Sequence, residues 1–227
     1  SVLTLEGGTH NQHAPPFDFL QKTFLPLVGR VGPSVSLELA RYGFYPPGGG
    51  RLEVLVEPAS RLERLDLLEP QKVRARRATA LVVNLPPGIA EREVAVLRQT
   101  LGWGEDECQI ETSTNAISPG NVVTLEIESG QLTELFSAIG QRGVRAEEVA
   151  ASAAKEALNY LDAGAPVGEH LADQLLLPLA LAAGGSYLTG PLSPHTTTNI
   201  EVIRKFLSVE IGVTQVDEKL WRIDVEN

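Results

Sequence analysis

Methionine is missing from this 227-residue sequence altogether, so no initiator is visible. The chain opens on Ser1-Val2-Leu3-Thr4-Leu5, whose alternation reads as a strand already under way. A processed terminus and a cut chain both give such an opening. Cysteine is nearly missing too. The single Cys108 excludes an internal disulfide framework and a Cys-rich zinc site, and it suits a reducing, cytoplasmic setting. A basic excess is also lacking: 19 Lys and Arg against 29 Asp and Glu leave a formal net charge of −10. Proteins that sheathe long nucleic acid without specificity carry the opposite sign. The balance argues against a broad nucleic-acid sleeve but leaves room for an enzyme that grips a chain end through a few local cations. No run reads as a membrane span, since the longest apolar stretch, Leu175 to Ala183, is too short and contains Pro178. The opening residues also lack the basic-then-apolar order of a secretory signal.

What is present is ordinary for a globular chain: 43% hydrophobic residues, 21% charged and a mean hydropathy of −0.01. That suffices for one large domain or two smaller ones. Val2 to Leu5 reads as a strand, Glu6 to Pro16 as a polar loop, and Phe17 to Val28 as an amphipathic helix ended by Gly29 and Gly32. Val35 to Tyr42 and the strand through Leu52, Val54 and Val56 form an expected antiparallel hairpin around Gly43 to Gly50. Leu62 to Arg77 reads as a charged connector whose Lys72, Arg74, Arg76 and Arg77 are a solvated cluster or an RNA contact.

From there the pattern alternates. Strands are expected at Ala80–Leu85, Cys108–Thr112 and Val122–Ile127, and helices at Ile89–Leu101, Leu132–Ile139 and Ala146–Tyr160. This stretch, residues 70–163, can form an α/β unit of its own. A buried helix follows over Val167–Ala183, then a strand at Ser186–Thr189, a helix over Asn199–Leu207, and closing strands at Val209–Val213 and Leu220–Val225.

Four segments can carry chemistry. His195 lies in Ser193-Pro194-His195-Thr196-Thr197-Thr198-Asn199, between a strand and a helix, where free N–H groups of a helix start meet an anion. A neutral imidazole there can attack phosphorus and form a phosphoramidate, or serve only beside a Thr-rich cap. Glu169-His170-Leu171-Ala172-Asp173-Gln174 opens the apolar helix, with Glu169 and Asp173 on one face as a ligand site or as a charged first turn. Gly43-Phe44-Tyr45-Pro46-Pro47-Gly48-Gly49-Gly50 can bring backbone to a phosphate or be a flexible hairpin tip. It lacks the Gly-Lys-Ser/Thr of a Walker loop. Gly7-Gly8-Thr9-His10-Asn11-Gln12-His13 holds two histidines three apart without further zinc ligands, and reads as a ligand-lining loop or a turn.

Taken together these stretches resemble the RNA 3′-terminal phosphate cyclases. The matching residues, in order, are Gly7-Gly8-Thr9 with Ala14-Pro15-Pro16, then Gly43-Phe44-Tyr45-Pro46 with Gly48-Gly49-Gly50. Gly168 to Gln174 follow, and finally His195 ahead of Thr198-Asn199-Ile200. The resemblance implies an α/β (α+β) fold: a large catalytic domain of repeated βαβαββ-type units, here 1–69 and 164–227, with a smaller inserted α/β domain at 70–163. It implies conversion of an RNA 3′-phosphate to a 2′,3′-cyclic phosphate with ATP and a divalent metal, Mg or Mn. His195 would take AMP. His170, Leu171, Ala172, Asp173 and Gln174 would line the ATP site, with His170 stacking on adenine where some relatives have tyrosine. Pro16 would lie on the nucleotide's other side. No residue is implied as a metal ligand in this sequence.

The resemblance also implies that the family's N-terminal third is absent, with its Gly-rich motif and metal-linked acidic residue. An inactive or nearly inactive fragment with exposed apolar surface is therefore expected. Two other readings compete. Non-catalytic cyclase-like ribosome-assembly proteins share the fold but lack the nucleophile that His195 supplies. Enolpyruvyl transferases on a related repeat fold need an Arg/Lys cluster that this chain does not place near the proposed site.

Overall fold

The computed structural model describes residues 1–69 and 72–227. Its fold is mixed α/β, as expected, with three sheets and six α-helices among the described residues. The first sheet is antiparallel in the order β1-β3-β2, from β1 (Val2–Gly7), β2 (Ser34–Arg41) and β3 (Gly50–Glu57). β2 and β3 are the expected hairpin, paired Val35↔Val56, Leu37↔Val54 and Leu39↔Leu52. Their apolar residues alternate onto one face, and Leu37 on that face is buried. Toward the β1 edge the face is open, with Leu3 47% and Leu5 49% exposed.

The helical segment after the first loop runs on without a break: α1 (Phe17–Phe19), a π-helical turn Leu20–Phe24, and α2 (Leu25–Val31). Gly29, expected at the helix end, lies inside α2. Gly32 alone terminates it, with a φ of 146° that a side chain would resist.

The second sheet, β6-β5-β7-β8, holds β5 (Ala75–Val83), β6 (Cys108–Ser113), β7 (Gly120–Glu128) and β8 (Thr133–Ile139). Two helices cover it, α3 (Gly88–Leu101) and α4 (Ala146–Ala163). The α4 sequence shows why it forms. Glu147 and Glu148 suit the positive end of the helix dipole, Val149, Ala150, Ala153, Ala154 and Ala157 make a buried stripe, and Gly164 ends it in the left-handed region.

β8 corrects an expected helix. Leu132, Leu135, Phe136 and Ile139 fall at the three-four spacing of a helix face. Instead the segment pairs with β7, Leu125 opposite Phe136 and Val123 opposite Ala138. Apolar residues are needed on both faces of this strand: Leu135 packs in the cluster containing Phe19 and Leu171, and Phe136 in the cluster containing Val123 and Ala153. That double burial hides the period of two.

The third sheet, β10-β11-β9-β4, contains β4 (Leu65–Leu67), β9 (Gly185–Thr189), β10 (Glu210–Gln215) and β11 (Trp221–Glu226). β4 lies inside the expected connector and pairs in parallel with β9, Leu67 opposite Tyr187. The start of the 70–163 unit falls on residues 70 and 71, outside the described residues. The basic cluster after it is partly absorbed into structure: Arg76 donates to Glu107 at 2.6 Å and lies over the Trp103 ring.

Under the third sheet lie α5 (Glu169–Leu181) and α6 (Pro194–Phe206). α5 is apolar nearly all round and tolerates Pro178. The principal core joins Leu171, Leu175, Leu176 and Leu179 of α5 to Phe19, Leu27 and Val31 on one side and to Tyr187, Ile211 and Ile223 on the other. The second core, Ala78 to Ala157, fills the α3/α4 side of the second sheet. A third, smaller cluster contains Phe44 of the hairpin tip with Leu81, Val83 and Val122. The tip is therefore braced on the second sheet rather than free. Phe44 is 2% exposed, and Ser118 Oγ donates to its carbonyl at 3.2 Å.

Candidate active site

α6 starts at Pro194, five residues earlier than the expected helix. Ser193 is the reason. Its backbone is extended, its Oγ accepts the Thr196 N–H at 3.1 Å, and Pro194 occupies the first helical position, where no N–H is needed. His195 thus sits in the first turn of α6 and is exposed to solvent. The helix start offers fewer free donors than expected. Pro194 has none, Ser193 takes the Thr196 N–H, and the Ser193 carbonyl takes that of Thr197 at 3.1 Å. The N–H of His195 itself is what remains in that turn.

Asn199 lies one turn along α6 from His195, on the same side of the helix. Its Nδ2 donates to the Asp173 carbonyl at 3.1 Å and to Asp173 Oδ1 at 3.0 Å. The other carboxylate oxygen of Asp173 accepts from Gln174 Nε2 at 3.1 Å. The structure thereby brings His195, Asp173 and Gln174 to one junction of α5 and α6. Asn199 does the joining, and sequence reasoning placed it only within a motif, with no role.

The remaining expected site residues divide. His170, one turn before Asp173, is exposed, and its Nε2 lies 3.3 Å from Glu156 Oε2 of α4. The hydrogen bond to the Glu156 carboxylate raises the His170 pKa. Leu171 and Ala172 are 0% and 1% exposed and belong to the core; the Ala172 N–H donates to the Gly168 carbonyl at 2.9 Å and the Ala172 carbonyl accepts from Tyr187 Oη at 2.6 Å. Pro16 is buried at the head of α1, whose Phe19 packs in the same core as Leu171. A cleft runs between α4 and the start of α5, lined by Glu156, Tyr160, Gly168, His170, Gly190 and Pro191 among others. The last two lie on the β9–α6 connection that leads to His195.

His10 and His13 do not form a ligand pair. His10 is wholly buried, its Nε2 2.9 Å from Asp18 Oδ2 and its Nδ1 2.8 Å from Thr9 Oγ1, and it stacks on Phe44. Thr9 Oγ1 in turn accepts the Gly43 N–H at 2.9 Å. The motif therefore braces the hairpin tip. His13 stands exposed in the loop with a φ of 59°.

Among the described residues no three His, Cys, Asp or Glu side chains gather as a metal cage. A Mg²⁺ ion held chiefly by nucleotide phosphates needs only one or two carboxylates. Nothing in this donor set, among the described residues, identifies them. No helix among the described residues is long and apolar enough to cross a membrane.

The sequence profile for RNA 3′-terminal phosphate cyclase matches residues 1–213. Relatives with that name include one from Ectopseudomonas mendocina (strain ymp), 50% identical over 225 residues, covering 99% of this chain and 66% of the relative. Another, from Koribacter versatilis (strain Ellin345), is 45% identical over 215 residues, covering 95% of this chain and 61% of the relative. A third, from Pseudomonas aeruginosa (strain LESB58), is 45% identical over 217 residues, covering 96% and 63%. The chain belongs to the RNA 3′-terminal phosphate cyclase family. It spans just under two thirds of the length of these relatives.

Proposed function

We propose that this chain carries the nucleotidyl-transfer half-site of an RNA 3′-terminal phosphate cyclase, with His195 as the nucleophile. The observation that supports it best is the Asn199–Asp173 link, which sets the His195 side of α6 against Asp173 and Gln174. ATP would lie at this junction, with its base toward His170, Asp173 and Gln174, and with Pro16 on the far side. Leu171 and Ala172 would shape the site from the core.

A ring nitrogen of His195 attacks the α-phosphorus of ATP. A P–N bond forms, the P–O bond to pyrophosphate breaks, and the ring gives up its proton. An oxygen of the RNA 3′-phosphate then attacks the adenylyl phosphorus, and the P–N bond breaks. The neighbouring 2′-hydroxyl attacks the activated 3′-phosphorus, loses its proton and expels AMP, leaving the 2′,3′-cyclic phosphate. Proximity makes this last step fast, because nucleophile and electrophile share one ribose. AMP is also a far better leaving group than the oxide a bare monoester would have to release. The exposure of His195 suits a residue that must meet first a nucleotide and then an RNA end.

We assign residues 70–163 as an inserted domain and 1–69 with 164–227 as the large one, supported by a cluster of buried side chains drawn wholly from Ala78 to Ala157, while Leu132 and Leu135 of the same stretch pack into the core of the other. A divalent cation, Mg²⁺ or Mn²⁺, belongs to the proposed reaction as a companion of ATP. A cytoplasmic setting accords with the single cysteine. The test is an RNA oligonucleotide with a labelled 3′-phosphate, incubated with ATP and Mg²⁺ or Mn²⁺. It is run with this chain and with a version extended at its N-terminus to the length of its relatives. The proposal expects ATP-dependent conversion of the 3′ end to a phosphatase-resistant form in the extended protein and little or none in this chain. No conversion by a folded extended protein would favour a non-catalytic role in ribosome assembly.

A further inference from the structure

The start of α5 has a gap in its own sequence. Its N-cap is Gly168, which has no side chain to satisfy the orphan donors of a helix start. The N–H of Gly168 itself is met from a distant strand. Glu134 of β8 accepts the Gly168 N–H on Oε1 at 2.6 Å. This is the reach-back bond that a glutamate three residues into a helix makes in a capping box, supplied here from 34 residues upstream. The fit is close: a Cβ on Gly168 would stand 3.1 Å from the Glu134 carboxyl carbon. Glu134 is 1% exposed.

Two further contacts reach the same turn from α4. Tyr160 Oη donates to the Pro166 carbonyl at 3.2 Å, and Glu156 Oε2 stands 3.3 Å from His170 Nε2. All three groups belong to the 70–163 unit, and all three grip residues 166–170, immediately before Asp173 and Gln174.

We propose that Glu134 and Glu156 are positioning residues for the nucleotide site: through them the inserted domain holds the first turn of α5 and the His170 ring in the arrangement that receives ATP. This rests on the cyclase reading above. Neither side chain need touch the nucleotide. Glu134 fixes the backbone from which His170, Asp173 and Gln174 project, and Glu156 fixes the orientation of the imidazole. Burial pushes the Glu134 carboxyl up to about 8, with the Gly168 N–H and the His170 charge pulling the other way. At neutral pH it is mostly the neutral acid, whose nearest mimic is glutamine. A glutamine carbonyl can still accept the Gly168 N–H, whereas alanine cannot.

The measurement is adenylylation by α-labelled ATP as a function of ATP concentration, in the N-terminally extended protein. Glu134→Ala should raise the half-saturating ATP concentration about tenfold while the saturated rate changes less than about twofold, because ground-state and transition-state binding are lost alike. Glu134→Gln should restore the parent value. Glu156→Ala should raise half-saturation about threefold, and this effect should vanish in a His170→Tyr background, where no imidazole is left to orient. Unchanged half-saturation in Glu134→Ala, or equal effects of Glu156→Ala with and without His170, would overturn the proposal and leave the cyclase reading intact. Should Glu134→Ala not fold, the glutamine variant and the Glu156/His170 cycle decide it. Absence of label in the unsubstituted extended protein would remove the cyclase reading, and the positioning roles with it.

Discussion

Glu93→Gln should remove the share that Glu93 contributes to the stability the parent protein loses as pH rises from about 4.5 to 7. Glu93 lies on α3 and is 0% exposed. Its Oε2 accepts from Asn121 Nδ2 at 2.9 Å, and its Oε1 has no partner. Burial, with a smaller push from Glu147, raises its pKa from 4.5 to about 7, against the Asn121 bond and the Arg92 charge. The folded protein therefore keeps a proton that the unfolded chain gives up above pH 4.5. Between about 4.5 and 7 the folded state binds more protons, so stability falls as pH rises, and it levels off above the folded value. The gap corresponds to about 3 kcal/mol, an upper figure that relaxation around the carboxyl reduces. Glutamine stays neutral and can keep the Asn121 bond through its carbonyl. Urea unfolding at pH 5, 6, 7 and 8 measures the difference between the two proteins, in which all other titrations cancel. The variant should match the parent to within about 1 kcal/mol at pH 5 and exceed it by about 2–3 kcal/mol at pH 8. A constant difference across the series would refute the account of Glu93 as a carboxyl held neutral by burial.

Two further effects follow from the same kind of argument. Ser193→Ala removes the cap of α6 and leaves the buried Thr196 hydroxyl without its 3.0 Å partner. The expected cost is about 1–2 kcal/mol in urea unfolding, together with slower adenylylation as the His195 turn frays. Asp18 is held below its usual range: burial works to raise it, but the His10 hydrogen bond, the His10 charge and Lys22 prevail. Its stabilisation is complete above the unfolded value of 3.8 and is lost as pH falls through the lower folded value. Asp18→Asn should therefore lower stability at pH 6 and flatten the acid limb of a thermal unfolding profile. An acid limb unchanged by the substitution would show that the Thr9–His10–Asp18 chain does not carry the hairpin tip.

Much of this was legible in the sequence because local signals agreed with the fold. The β2–β3 hairpin announced itself through alternation around a Gly/Pro-rich turn, and the expected helix over Ala146–Tyr160 is α4, which runs three residues further to Ala163. Where tertiary demands overrode local pattern, reading failed. β8 carries a helix-like spacing because its two faces serve two cores. β4 is three residues long and exists only by pairing with β9, a partner more than a hundred residues away. The α6 start was misplaced because the Thr run after His195 reads as loop, while the cap that decides the matter is Ser193.

The site divides in the same way. His195, His170, Asp173 and Gln174 are side chains in recognisable motifs. Leu171 and Ala172 share a motif with them, yet α-helical geometry turns them into the core. Glu134 and Glu156 have no local mark at all. A carboxylate that caps a helix from another strand leaves no trace in the sequence around that helix, although Gly168, a cap position without a capping side chain, hints that one is needed.

The most direct measurement of the central claim is the fate of α-labelled ATP on the protein. This chain, the N-terminally extended version and His195→Ala in each are incubated with label and Mg²⁺ or Mn²⁺, denatured and mapped by peptide mass. The account predicts an acid-labile, alkali-stable adduct on the peptide containing His195 in the extended protein, lost in His195→Ala. No adduct on a folded extended protein, or an adduct that survives His195→Ala, would contradict it.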